Sequence, residues 1–478
     1  MSDIIESDGD IGQPEEEPGD FLETIETRIP QTRMAMLKMD QLVDRKSLER
    51  GLHALADNGW NSVVIPALVE GYPIFHSQAW KEAGMRPIHP RIRKWDPFEL
   101  VFEIAWKRGL EVLIYQSPYG AHGSQGKPPV LQKHPDWATR RHPKKKRRPF
   151  DYDPHEMYFC PVNHDYRRFF CDMMHALLEE YPFHGLVLDL RRHPFYSIID
   201  SNLVPWCFCD ACRAATLRDL GFDPADLDFD SEKGMVERWR EWQAQQIDKA
   251  LAHIRTRSLK ARSTMRVLGY LSSDSEGTNK PHKPLVHWKT WVEHSLVEAL
   301  VLDGYPVGDE SFQTQLQRDV EMLPDYFLLL PILPRRIKYE KDFLQSLDPM
   351  PIPGFVVQFE KWSQADFDPA ARIEFDEPAF AVESDPIRSV CVLFQNMSGL
   401  VPHEEEFRAF LCDLVRILLR DDVRMSLERL MMVADNIKGL YNQVLEGQMY
   451  FAEFQDQILH DLDLAYRLVF LAVCDLKE

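Results

Sequence analysis

From residue 33 onward, short apolar runs alternate with stretches whose apolar residues recur at helical spacing, the pattern of successive βα units. The first run, Arg33 to Met39, precedes a helix from Arg45 to Asn58. The second, Ser62 to Ala67, precedes a helix that Asp96-Pro97 opens and Arg108-Gly109 closes. Asp at an N-cap and Pro at the first helical position suit the amide groups that a helix start leaves unpaired. A third run, Leu110 to Gln116, is followed by a loop from Ser117 to Pro161 and a helix from Asn163 to Tyr181. The fourth run, Leu186-Val187-Leu188, is apolar at every position and bounded by Gly185, as in a parallel strand buried on both faces. Beyond a long loop from Arg191 to Gly234 come a helix from Met235 to Ser258 and strands at Met265–Leu271, Ala299–Leu302, Tyr326–Leu330 and Gly354–Phe359. Eight strands with helices between them predict an α/β fold, a (β/α)8 TIM barrel, over residues 29–400. From about Glu404 only helical spacing remains, with Leu427, Leu430, Met431, Ile437, Leu440 and Val444 among the apolar positions, so 401–478 is expected to form a helical C-terminal extension.

Composition adds detail to this outline. The chain has 478 residues, 44% of them hydrophobic, enough for a barrel and an appendage. Residues 1–28 are acidic, with ten Asp and Glu and no Lys or Arg before Thr27, and are expected to be a disordered tail. A formal net charge of -20 argues against nucleic acid as a partner, because a phosphate backbone would be repelled. The basic run Lys144 to Arg148 reads as a solvated loop. No apolar run reaches the roughly 20 residues that span a bilayer. The start, Met1-Ser2-Asp3, has no basic, apolar leader, so the expected location is the cytoplasm, with no membrane partner.

The fourth strand ends in Asp189, followed by Leu190, Arg191, Arg192, His193 and Pro194. The C-terminal ends of barrel strands face the active site, which makes Asp189 the leading candidate for chemistry. Several motifs, in order, resemble the bacterial proteins described as family 10 glycosylhydrolase-like: Gly59-Trp60-Asn61-Ser62-Val63-Val64, Asp96-Pro97-Phe98, Ala105 to Val112, Pro118-Tyr119, His134 to Trp137, Gly185 to Pro194 and Cys207 to Cys212. The resemblance covers residues 33–360 and implies a (β/α)8 barrel that hydrolyses glycosidic bonds. It departs from the family pattern at His184, which replaces an acidic residue, and at His193, which replaces a tyrosine.

Cleaving such a bond takes two carboxyl groups on either side of it. Asp189 is one; Asp303, beside Gly304 and Tyr305 at the end of the sixth strand, is ranked above Asp274, Glu276 and Glu360 for the other. Arg192 matches the family's arginine and is expected to pair with Asp189. Arg192, His193, Tyr119, Tyr305 and Glu360 are the expected sugar-binding residues, with Tyr72, Trp80 and Trp362 as further stacking candidates. No cofactor is required. Cys207, Cys209 and Cys212 are spaced to share a structural zinc ion, with His193 the nearest fourth donor in sequence. The expected function is hydrolysis of an oligo- or polysaccharide; the alternative is a non-catalytic barrel that binds a glycan or protein. The C-terminal helices offer a surface for a homo-oligomer.

Overall fold

The computed structural model describes residues 32–120, 129–143, 158–191, 195–273, 287–333, 354–359, 362 and 386–475, apart from 83–84, 93, 200–201, 264, 306–308, 324–327, 402, 419, 421–422, 424–425, 448, 450 and 452–453. The acidic tail and the basic run Lys144 to Arg148 lie outside these residues.

Eight parallel strands form one sheet: β1 (Thr32–Met36), β2 (Ser62–Pro66), β3 (Glu111–Gln116), β4 (Gly185–Asp189), β5 (Arg266–Ser272), β6 (Ala299–Asp303), β7 (Leu328–Pro331) and β8 (Gly354–Gln358). They neighbour one another in chain order, and β8 pairs with β1, Thr32 opposite Gly354. The ring closes between β7 and β8 through a single parallel bridge, Ile332 to Val356, and the bond from Leu333 N to Val356 O at 2.9 Å. The chain is thus a (β/α)8 barrel, as the alternation of runs implies.

The helices outside it are α1 (Arg45–Asp57), α2 (Pro97–Arg108), α3 (His164–Glu180), α4 (Asp210–Leu220), α5 (Lys233–Ala261), α6 (Trp288–Glu293), α7 (Asp309–Glu321) and α8 (Pro386–Leu400). Asp44, Asp96 and Asn163 cap α1, α2 and α3, each accepting a backbone N–H within 2.9 Å. Gly109 ends α2 in the left-handed conformation, φ 63°, which costs a glycine little. Two expectations need correction. The first strand stops at Met36, because Gln41 Oε1 accepts the Lys38 amide at 2.8 Å and starts a helical turn over Met39–Leu42. The region after β4 is not all loop: it holds a hairpin, Tyr196–Ile199 with Asn202–Pro205, and then α4.

Alternation along the strands sorts two cores. Inward residues Met34, Val64, Leu113, Val187, Leu268, Val301, Leu330 and Val356 fill the barrel, so it is a packed core rather than a pore. Outward residues such as Val63, Ile65, Val112, Leu186 and Val267 pack beneath the helices.

At the N-terminal ends of the strands the packing turns polar. Glu111 accepts from Ser62 Oγ at 2.8 Å and from Arg266. His184 Nδ1 accepts the Val112 amide at 3.0 Å, at the end of β4 remote from Asp189. The departure at residue 184 therefore lies on the barrel face that serves stability.

The chain ends in α9 (Glu405–Leu418), α10 (Leu427–Leu445) and α11 (Gln455–Asp475), which share one apolar core with α8. That core includes Ile387, Leu393, Phe394 and Met397 of α8 together with Leu259 of α5, so α8 belongs with the later helices as well as with the barrel. Among the described residues no helix is long and apolar enough to cross a membrane.

The tie between α8 and the barrel is Arg255 on α5, which donates to Glu298 Oε1 at 2.8 Å, Asn396 Oδ1 at 3.2 Å and the carbonyls of Gln395 and Asn396 at 3.3 Å. Gly399 lets α8 come this close, since a Cβ there would stand 2.6 Å from both the Arg255 guanidinium and the Ser295 carbonyl. Gly399→Ala is expected to cost about 1–3 kcal/mol, because a backbone atom must yield as well as a side chain. Thermal unfolding of the purified variant checks this, and an unchanged midpoint would mean that α8 moves away freely.

Candidate active site

The C-terminal mouth of the barrel is built by one inward position near the end of each of five strands. Period-two alternation puts Tyr115, Asp189, Tyr270, Asp303 and Gln358 two residues beyond the inward apolar residues Leu113, Val187, Leu268, Val301 and Val356. Asp189 is 2% exposed, whereas the Asp303 side chain is 30% exposed.

Arg191 joins the two carboxylates. The chain turns back immediately after β4, with the Arg191 amide donating to Asp189 Oδ1 at 3.1 Å. Its guanidinium then grips Asp189 with two nitrogens, Nε to Oδ1 and Nη2 to Oδ2, both at 3.0 Å. The third nitrogen, Nη1, reaches Asp303 Oδ2 at 2.6 Å. Such a two-nitrogen grip on a carboxylate is the strong form of the ion pair. The guanidinium also lies 3.8 Å from the centre of the Tyr270 ring, a cation–π contact.

Two phenols complete the arrangement. Tyr115 Oη donates to Asp189 Oδ2. Tyr270 Oη donates to Asp303 Oδ2 at 2.8 Å and accepts from Gln358 Nε2 at 2.7 Å. One hydrogen-bonded chain therefore crosses the mouth from β8 through β5, β6 and β4 to β3. Burial, helped by the neighbouring carboxylates, pushes both phenols above their ordinary pKa and keeps them as donors. Burial opposes the charge on Arg191, but its bonds to Asp189 outweigh that and hold its pKa above the usual value.

The expected site residues fare differently. Asp189 and Asp303 come together, and the arginine that joins them is Arg191, which the sequence analysis did not select. Arg192, His193, Glu360, Asp274 and Glu276 lie outside the described residues. Tyr119 and Tyr305 are corrected: they are 2% and 6% exposed, and Tyr305 packs on Phe312 at 4.9 Å, so neither ring offers an open face to a sugar. Both rings belong to the apolar core between the strands and the helices. Trp80 is buried likewise. Beside the mouth lies a small cavity of about 70 Å³, lined in part by Leu68, Glu70, Tyr115, Gln116 and Phe169. Tyr115 thus belongs to both the cavity and the carboxylate network.

A second cluster lies in the loops. Cys160, just before α3, joins Cys207, Cys209 and Cys212, and the four sulfurs lie within 4.8 Å of one another, all buried. The Cys160 sulfur is 3.4 Å from that of Cys212 and 3.6 Å from that of Cys209. The fourth thiol of the cluster is a cysteine 47 positions upstream of Cys207; the fold brings it there because the loops after β3 and β4 are neighbours on the barrel rim, and His193 lies outside the described residues.

Fold and mouth together define a (β/α)8 barrel with two carboxylates at the C-terminal ends of its strands. No protein-family model matches the chain, and no curated protein matches it. Solved structures share its fold. The PgaB (BpsB) glycoside hydrolase domain from Bordetella bronchiseptica superposes with a TM-score of 0.54 at 12% identity, over 72% of this chain and 99% of that one. The catalytic domain of beta-amylase from Paenibacillus polymyxa gives 0.52 at 11% identity, over 71% and 94%. Alpha-L-fucosidase isoenzyme 2 from Paenibacillus thiaminolyticus gives 0.49 at 15% identity; the match covers 72% of this chain and 48% of the fucosidase.

Proposed function

We propose that the protein hydrolyses a glycosidic bond of an oligo- or polysaccharide, with Asp189 and Asp303 as its carboxyl pair. The observation that carries this reading is that one guanidinium, Arg191, spans both carboxylates at the barrel mouth. Their spacing is therefore of the order that glycosidases use, about 5–5.5 Å when configuration is retained and about 6.5–9.5 Å when it is inverted. The fold shared with the glycoside hydrolase domain of PgaB and with the catalytic domain of beta-amylase supports the same class. So does the resemblance of the strand-four motif to the family 10 glycosylhydrolase-like proteins.

The roles follow from the surroundings. Asp189, gripped by two nitrogens of Arg191 at the end of β4, is placed as the nucleophile or the base for water. Asp303 holds Arg191 by one nitrogen and is more exposed, which places it to meet the leaving oxygen. Substrate entering the mouth displaces that single Arg191–Asp303 contact. The test is release of reducing ends from a panel of glycans, including denuded peptidoglycan strands and α-glucans. Asp189→Asn is expected to fold and to lose at least about a hundredfold in turnover. Equal turnover by both proteins would overturn the role of Asp189.

One observation favours a second reading. Asp189 is 2% exposed, with Arg191 on both its oxygens and Tyr115 on one, an arrangement that also serves to lock the mouth of a barrel that binds glycan without cutting it. Glycan binding by the wild type with no cleavage of any member of the panel would select this reading.

A further inference from the structure

We propose that Cys160, Cys207, Cys209 and Cys212 hold one tetrahedral zinc ion, which fastens the loop entering α3 to the loop after β4. Zinc bound to four sulfurs at about 2.3 Å places the sulfurs about 3.8 Å apart. The separations of 3.4 and 3.6 Å, with every pair inside 4.8 Å, bracket that value. A disulfide requires about 2.05 Å, and all four are free cysteines. Four soft sulfur donors and no oxygen donor select zinc over magnesium or calcium.

The surroundings match thiolate ligands. Backbone amides point at the sulfurs: Arg140 N and Cys209 N donate to Cys207 Sγ at 3.1 and 3.4 Å, and Cys212 N donates to Cys209 Sγ at 3.5 Å. Outer hydrogen bonds of this kind orient metal ligands and spread their negative charge. Cys209 also caps the start of α4, where a helix favours negative charge. All four side chains are buried, which closes the site to substrate and makes the ion structural.

The ion would join three strips of backbone. Residues 158–160 already pair with 138 and 120 through bridges, and Phe208 N donates to Arg140 O at 2.9 Å. Trp206 N donates to Phe195 O at 2.6 Å, which closes the base of the hairpin that follows Arg191. The metal thus fixes the far side of the segment that begins at the carboxylate network. It does not depend on the hydrolase reading, because a closed structural site serves a catalytic and a binding barrel alike.

The test uses the full chain expressed in zinc-replete medium. Elemental analysis is expected to find about one zinc per chain, and zinc-edge X-ray absorption four sulfur neighbours at about 2.3 Å. Cys160→Ala is expected to lose the zinc, while Cys171→Ala, which removes a buried thiol outside the cluster, keeps it. If Cys160→Ala does not fold, the absorption spectrum of the wild type still decides the ligand set. Wild-type protein without stoichiometric zinc, iron in its place, or a shell containing nitrogen or oxygen would each overturn the proposal.

Discussion

Glu298→Ala is expected to destabilise the protein by about 3–5 kcal/mol, the range found when one member of a buried ion pair is removed. Arg255 is 1% exposed, and Glu298 carries the charge that faces it. The same carboxylate accepts the Val267 amide at the start of β5, so its loss also leaves a strand amide without that acceptor. The measurement is denaturant unfolding, with a lower midpoint at unchanged slope. Glu298→Gln, which keeps a side-chain oxygen, should lose less. Replacing the pair by Arg255→Met with Glu298→Leu should recover part of the loss, since well-packed apolar residues often replace a buried pair at little cost. Recovery will be incomplete because Arg255 also serves Asn396 and the Gln395 carbonyl on α8. A loss for Glu298→Ala below about 1 kcal/mol, the scale of surface pairs, would show that the guanidinium finds water when its partner goes.

The barrel was legible because its determinants are local. Each strand is a short apolar run with its own helix stop before it, and the caps Asp44, Asp96 and Asn163 are single residues whose action reaches only three positions along the chain. Misreadings fell where distant contacts decide. The end of β1 depends on Gln41, whose Nε2 donates to the Phe359 carbonyl at 2.8 Å, over 300 positions away. The membership of α8 in the C-terminal core depends on its packing against α11, which no window along the chain reveals.

The candidate site was legible only in its carboxylates. Asp189 and Asp303 stand out because each breaks an apolar run at the strand end that faces the mouth. Tyr115, Tyr270 and Gln358 also face the mouth and were missed because each strand was read alone. Each lies two residues beyond an inward apolar residue, Leu113, Leu268 or Val356, just as Asp189 and Asp303 lie two beyond Val187 and Val301. Choosing Arg191 over Arg192 required the turn after β4, where the Asp189 carboxylate takes the Arg191 amide and its guanidinium together. Cys160 was invisible for a different reason: spacing finds metal ligands within one loop and cannot pair loops that adjacent strands bring together.

Asp461→Asn should raise stability at neutral pH, and its effect should vanish in acid. Asp461 lies on α11 where that helix meets the barrel, 1% exposed, accepting from Gln457 Nε2 at 3.0 Å and bonded to Ser263 in the turn before β5. Burial pushes its carboxyl up to about 6 from an ordinary 3.8, and the bonds from Gln457 and Ser263 offset only part of that. The folded state therefore binds the proton more tightly than the unfolded chain, so stability falls as pH rises between those two values. Above about pH 6 the full cost of burying the charge, about 3 kcal/mol, is present. Asparagine retains an oxygen for Gln457 and carries no charge, so it removes this cost without emptying the site. Unfolding free energies of the two proteins should differ by about 2–3 kcal/mol near pH 8 and converge near pH 4. A difference that is constant with pH, or a variant that is less stable near pH 8, would mean that Asp461 is ionised in the fold and that the junction of α11 with the barrel holds its charge at no cost.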